Sequence, residues 1–160
     1  MADIVVDGKV AVWFIPTMAG AGPTVAEMGA GTKLSNVMTA DGLVGFEPVT
    51  AEVDTTSLES TFDTVAPGRA SYTGCALRLK KQATTDTLYA TTLVREQAGY
   101  VVVRRDISAS TAVAAAQKVE IYPSVFGETK NLAPEKNSVA RYEVPVMVTA
   151  APTLRGTILA

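Results

Sequence analysis

The sequence predicts a mainly β domain: a sandwich or barrel of about seven or eight strands, one flanking α-helix and a long extended arm. Three observations predict it. Short runs of alternating or β-branched residues recur along the chain, in an order that does not alternate strand with helix as a βαβ fold would. Beyond the N-terminal region, only Thr84–Val94 has a helical pattern of any length. Between Leu34 and Gly68 there is no Lys or Arg, whereas Asp41, Glu47, Glu52, Asp54, Glu59 and Asp63 punctuate the same stretch.

Taken in order, Val10–Ile15 (VAVWFI) is an apolar strand ended by Pro16, with Trp13 in the core. Met18–Pro23 is a turn or loop. Thr24-Val-Ala-Glu27 fits a capping box for a short helix that Gly29 and Gly31 stop. Thr32–Thr39 reads as a second strand, closed by an Asp41-Gly42 turn. After the arm, Ala70–Lys81 is a single strand, with Cys75, Leu77 and Leu79 on one face and Tyr72, Arg78 and Lys80 on the other. Its mixed faces suit a sheet covered on both sides.

Thr84–Val94 is the principal helix, with Asp86 in its first turn and Arg95 at its end, both suited to the helix dipole. Gly99–Arg105 is a strand. Ser108–Ala116 fits either a helical turn or a packed loop. Gln117–Phe126 is a strand with Val119 and Ile121 inward and Lys118, Glu120 and Tyr122 outward, disturbed at Pro123. Gly127–Asn137 is a polar loop. Val139–Thr149 sets Tyr142, Val144, Val146 and Val148 against Arg141, Glu143, Pro145 and Met147, and Pro145 places this strand at an edge or a bulge. Thr153–Leu159 is the last strand. With no internal repeat, low-complexity tract or linker, residues 1–160 form one domain.

The arm, about residues 43–69, carries only scattered apolar residues: Phe46, Val49, Val53, Leu58, Phe62 and Val65. That is too little to bury by itself, so the arm is expected to lie against another copy of the chain. Arg69, Arg78, Lys80 and Lys81 follow it, and are expected to answer its charge across a subunit boundary. The candidate inter-subunit residues are therefore Phe46, Glu52, Asp54, Leu58, Glu59, Phe62, Asp63, Arg69, Arg78 and Lys80.

Composition narrows the chemistry. The chain has no histidine and one cysteine, Cys75. Serine–histidine and cysteine–histidine nucleophiles, histidine metal sites and internal disulfides are thereby excluded. No paired-carboxylate constellation stands out, and no enzyme, cofactor or metal is expected. Gly20-Ala-Gly22 lacks the third glycine of a dinucleotide fingerprint, and Gly29-Ala-Gly31-Thr-Lys33 lacks the Gly-Lys-Ser/Thr of a phosphate loop. The acidic run lacks the order of a calcium hand. A net charge of −2 gives no global attraction for nucleic acid. No apolar run is long enough for a bilayer, and Met1-Ala2-Asp3 lacks the basic start of a secretory leader, so synthesis and folding in the cytoplasm are expected.

Several segments, in this order and spacing, resemble the major tail (tail tube) proteins of long non-contractile-tailed phages of actinobacteria: ADIVVDGKVAVWFIPT, TADGLVGFEP, STFDTVAPGRASYTGCALRLKK, GYVVVRR, KVEIYP and ARYEVPVMVTAAP. The resemblance spans essentially the whole chain. It implies a β-sandwich or barrel related to the tubes of contractile tails and type VI secretion. It also implies a structural virion protein, assembled in the host bacterium, whose hexameric rings stack into a hollow tube. The implied partners are further copies, a tape-measure protein in the lumen, tail terminator and tail tip proteins, and phage DNA passing without specific contacts. The family's long arm, which reaches neighbouring subunits or rings, matches Phe46–Pro67. A contrasting reading is a monomeric β-sandwich binding module that uses the 46–67 loop for recognition.

Overall fold

The computed structural model describes residues 3–160; Met1-Ala2, where the sequence lacks a leader's basic start, lies outside the described residues. Eleven strands follow in order: β1 (Ala11–Ile15), β2 (Thr32–Lys33), β3 (Met38–Val44), β4 (Val49–Asp54), β5 (Val65–Ser71), β6 (Ala76–Lys80), β7 (Ala98–Arg104), β8 (Lys118–Phe126), β9 (Lys130–Asn131), β10 (Arg141–Val148) and β11 (Thr153–Thr157). Helix α1 spans Val25–Ala30. The main sheet runs β2-β1-β7-β8-β10-β6-β3 and curls into a half-barrel, with β11 added to β8 and β9 to β10. Strands β4 and β5 form a separate two-stranded sheet.

Alternation places the core on both faces of this sheet. Along β1, Val12 and Phe14 join Val101, Val103, Tyr122, Phe126 and Val144 in one cluster, while Ala11, Trp13 and Ile15 join Val102, Ile121, Ile158 and Met28 of α1 in the other. All five β1 residues are therefore buried. The same two-sided cover corrects the reading of Tyr122 as outward. It is buried, with its hydroxyl donating to Glu120 Oε2 at 3.0 Å.

The capping box forms as read: Thr24 Oγ1 accepts from Glu27 N at 3.1 Å, and Glu27 Oε2 accepts from Thr24 N at 2.8 Å. Gly29 does not stop the helix but lies inside it. Gly31 ends it in extended backbone, where a Cβ would meet Phe14 O at 3.0 Å and Ile15 Cγ1 at 3.1 Å. The flanking helix is thus α1 beside β1. Thr84–Val94 contributes one π-type turn, Leu88–Thr92, in place of the expected principal helix. Asp86 starts this turn by accepting from Tyr89 N at 3.2 Å, and also holds Gln82 N at 3.0 Å. The five threonines of this segment propagate a helix poorly.

Asp41-Gly42 is not a hairpin turn. It lies within β3, where the register against β6 shifts between Met38 and Leu43, and the expected strand Thr32–Thr39 is divided between β2, a turn and the start of β3. The expected single strand Ala70–Lys81 likewise divides into the end of β5, a joint at Tyr72–Cys75, and β6. The joint turns on two glycines in left-handed backbone, Gly45 (φ +72) and Gly74 (φ +70). They touch: a Cβ on Gly45 would lie 2.5 Å from Gly74 O.

Two of the three strand prolines, Pro123 and Pro145, sit at seams of the main sheet rather than at edges. Pro123 O accepts from Thr149 N at 2.9 Å, on the side where the neighbour of β8 changes from β11 to β10. Pro145 O accepts from Gly127 N at 2.8 Å, where the neighbour of β10 changes from β9 to β8. A residue's N–H and C=O point to the same side of a strand, so each missing donor falls in a gap that has no ladder acceptor. This corrects the edge or bulge expected at Pro145.

Ser108–Ala116 is a loop, not a helical turn; it is mostly exposed, with Ala109 and Val113 packed against the core. The fully buried guanidinium of Arg104 donates to Ser108 O at 2.9 Å, Thr111 O at 2.9 Å, Ala112 O at 3.4 Å and Gln117 Oε1 at 2.8 Å, and lies over the Trp13 ring. Carbonyls replace a counter-ion there.

Candidate functional site

The arm is a β-hairpin that stands off the domain. Val49 pairs with Ser71, Thr50 with Ala70, Glu52 with Pro67, Val53 with Ala66 and Asp54 with Val65, with a bulge between Thr50 and Glu52. Both strands pack chiefly against each other, and β4 is exposed along its whole length. Val53 and Ala66 share one face, and Val65 and Pro67 share the other with Glu52 and Asp54. Neither face has a cover, and each strand's outer edge is unpaired among the described residues.

Backbone and hydroxyl hydrogen bonds order the tip. Thr55 N donates to Thr64 O at 2.9 Å, Thr64 N to Thr56 Oγ1 at 2.9 Å, and Phe62 N to Ser60 Oγ at 3.1 Å. Thr56 also hydrogen-bonds Asp54, its N–H donating to Oδ1 at 2.8 Å, and holds that carboxyl below its ordinary range. The apolar residues point away from this network: Leu58 is 104% exposed and Phe62 76%. A two-stranded ribbon is marginal in water without a third strand or a covering face. A hairpin that displays Leu, Phe and three Val is therefore built to meet another surface.

Seven of the ten candidate residues come together here: Glu52 and Asp54 on β4, Leu58, Glu59, Phe62 and Asp63 at the tip, and Arg69 on β5. The other three do not. Phe46 is 6% exposed and packs edge-on against Tyr122 at 5.0 Å, so it belongs to the core and not to an inter-subunit contact. Arg78 pairs with carboxylates of its own chain, Asp41 Oδ2 and Glu143 Oε2, each at 2.8 Å. These partners hold the guanidinium pKa up, Glu143 more than Asp41. Lys80 lies at the end of β6 remote from the hairpin.

Sequence reasoning missed the neck. Cys75 Sγ donates to Gly45 O at 3.0 Å beside the Gly45–Gly74 contact, and burial pushes its thiol pKa up, which leaves it a packing group. Two glycines flanking the arm were the available signal. Val49, Val53 and Val65 were visible as arm residues, and the Val-Thr-Ala-Glu-Val-Asp alternation was the clue that they sit on a strand.

Among the described residues no cluster of three or more His, Cys, Asp or Glu could hold a metal ion, and no helix is long and apolar enough to cross a membrane. A groove of about 350 Å³ between β1 and β3 is lined by Val10, Val12, Ser35, Met38 and Leu43, with Asp7 beside them. Nothing in that lining pairs an acid with a base.

A family model described as phage tail tube protein matches residues 1–160. No curated protein matches in sequence. Among solved structures, the chain is similar to one in the cryo-EM structure of the anti-feeding prophage baseplate, 6-fold symmetrised, at TM-score 0.61 and 12% identity, over 94% of this chain and 95% of that one. That likeness shows a shared fold.

Proposed function

The chain belongs to the phage tail tube protein family, a structural component of the virion tail, and from that premise we propose that copies close into rings and stack into a hollow tube through which DNA leaves at ejection. The observation that carries this is the β4–β5 hairpin, ordered by its own hydrogen bonds while Leu58 and Phe62 stay outside any core. Glu52, Asp54, Leu58, Glu59, Phe62, Asp63 and Arg69 make contacts between copies. Apolar residues on this ribbon supply contact area that a second copy can bury, and head-to-tail contacts that close by rotation form rings. The 6-fold symmetrised baseplate from which the similar fold comes supports a hexamer.

In this reading the protein performs no catalysis. Its lumen holds the tape-measure protein during assembly in the host cytoplasm, and the tube ends meet tail terminator and tail tip proteins. A net charge of −2 suits a conduit that DNA crosses without sticking.

Negative-stain electron microscopy and sedimentation of the purified protein test the proposal, alongside a variant in which residues 55–64 are replaced by a two-residue turn. Rings or tubes are expected from the full chain and single subunits from the variant. A full chain that stays monomeric at high concentration, alone and with tail partners, would overturn it. A shortened variant that still assembles but loses a foreign partner would favour a recognition module.

A further inference from the structure

The β3–β6 pair has two ends, and they differ in charge. At the Val44–Ala76 end the chain leaves for the hairpin. About 13 Å away, four residue steps along β6, lie Lys80 and Lys81. Pairing gathers more cations there. Arg141 is opposite Lys80, Lys81 N donates to Ala140 O at 2.8 Å, and β9 brings Lys130 alongside Glu143. Lys136 and the exposed Val139 lie in the loop between β9 and β10.

The carboxylates at this pole are already engaged. Glu135 pairs with Arg141 at 2.8 Å, Glu143 is shared between Lys130 and Arg78, and Asp86 holds two backbone N–H groups. Lys80, Lys81 and Lys136 have no carboxylate partner among the described residues. The hairpin is the opposite case. Glu52, Asp54, Glu59 and Asp63 lack a cationic partner among the described residues, and its strands carry one cation, Arg69.

We propose that the hairpin tip of one copy docks on the lysine pole of the next copy along the tube axis. Glu59 and Asp63 face Lys80, Lys81 and Lys136, and Leu58 and Phe62 cover Val139. This rests on the tube reading above and names the receptor that the reading lacks. Acids without a counter-ion at one end and lysines without a carboxylate at the other, Lys81 lying over the Tyr89 ring, make the contact heterologous, so each added copy presents the same free hairpin for the next. Opposed charge fixes the direction of addition, because two hairpins or two lysine poles repel.

The test is a charge swap in the full chain, read by electron microscopy and by the critical concentration for tube formation. Lys80→Glu/Lys136→Glu and Glu59→Lys/Asp63→Lys are each expected to raise that concentration at least about tenfold, and the quadruple variant to restore tubes. Of the four altered charges Glu59, Asp63 and Lys136 are exposed and Lys80 is half-buried, and matching thermal unfolding of the subunits checks that the variants fold. As a second measurement, Asp63→Cys/Lys136→Cys tubes oxidised after assembly should yield a ladder of covalent multimers. If wild-type tubes form but Lys80→Glu/Lys136→Glu assembles equally well, or oxidised tubes give no ladder, the receptor assignment is overturned while the tube reading stands. Wild-type protein that never assembles would overturn both.

Discussion

Arg78 and Glu143 stand opposite each other in the β6–β10 register, and Arg78 Nε donates to Glu143 Oε2 at 2.8 Å. The pair is the middle of a longer chain. Arg78 Nη1 also donates to Asp41 Oδ2 at 2.8 Å, and Lys130 Nζ lies 2.7 Å from Glu143 Oε1. Asp41, Arg78, Glu143 and Lys130 thus alternate in sign across β3, β6, β10 and β9, and fix the register of the strands that carry both the hairpin and the lysine pole.

Glu143 is the buried member of that chain and accepts from two cations. Glu143→Gln keeps its volume and removes its charge. We expect a loss of about 1–3 kcal/mol in urea unfolding of the subunit, in the range for hydrogen bonds to charged groups. A change within error would show that the ladder is solvated and carries little stability.

The same group sets a pH dependence. Lys130 first, then Arg78, hold the Glu143 carboxyl below its ordinary value of 4.5. Its contribution is therefore fully present above pH 4.5 and is lost as pH falls through the depressed value. The stability gap between wild type and Glu143→Gln should be flat above that point and close below it. A gap that widens on acidification would contradict the assignment.

Phe46 and Phe62 both belong to the expected arm but differ in cover. Phe46→Ala removes a ring packed on Tyr122 and should cost about 3–5 kcal/mol in subunit stability. Phe62→Ala should leave the subunit within about 0.5 kcal/mol of wild type and reduce assembly instead. Chemical denaturation of unassembled protein, paired with a polymerisation assay, separates the two.

Arg104→Lys should be far from conservative. One ammonium cannot span the separate acceptors at Ser108, Thr111, Ala112 and Gln117 that the planar guanidinium reaches. We expect a loss of about 2–4 kcal/mol and faster amide exchange across residues 106–117, with the hairpin unaffected. Unchanged exchange in that loop would show that Arg104 does not order it.

The sequence by itself determined the β architecture, because the apolar runs in Val10–Ile15 and Gly99–Arg105 and the alternation in Val139–Thr149 are local patterns with a local meaning. The Thr24–Glu27 cap was legible for the same reason, since all its partners lie within one helical turn. The arm showed itself by what it lacked, namely enough apolar residues to bury and, before Arg69, any cation to balance its acids. Only the tertiary structure decided where Phe46 and Tyr122 point, why Pro123 and Pro145 are tolerated inside a sheet, and which carboxylates Arg78 takes. Those outcomes depend on which strands become neighbours, and strands distant in sequence meet only when the sheet is assembled. Lys80 and the hairpin are close along the chain, yet the strand between them carries the lysine to the opposite pole.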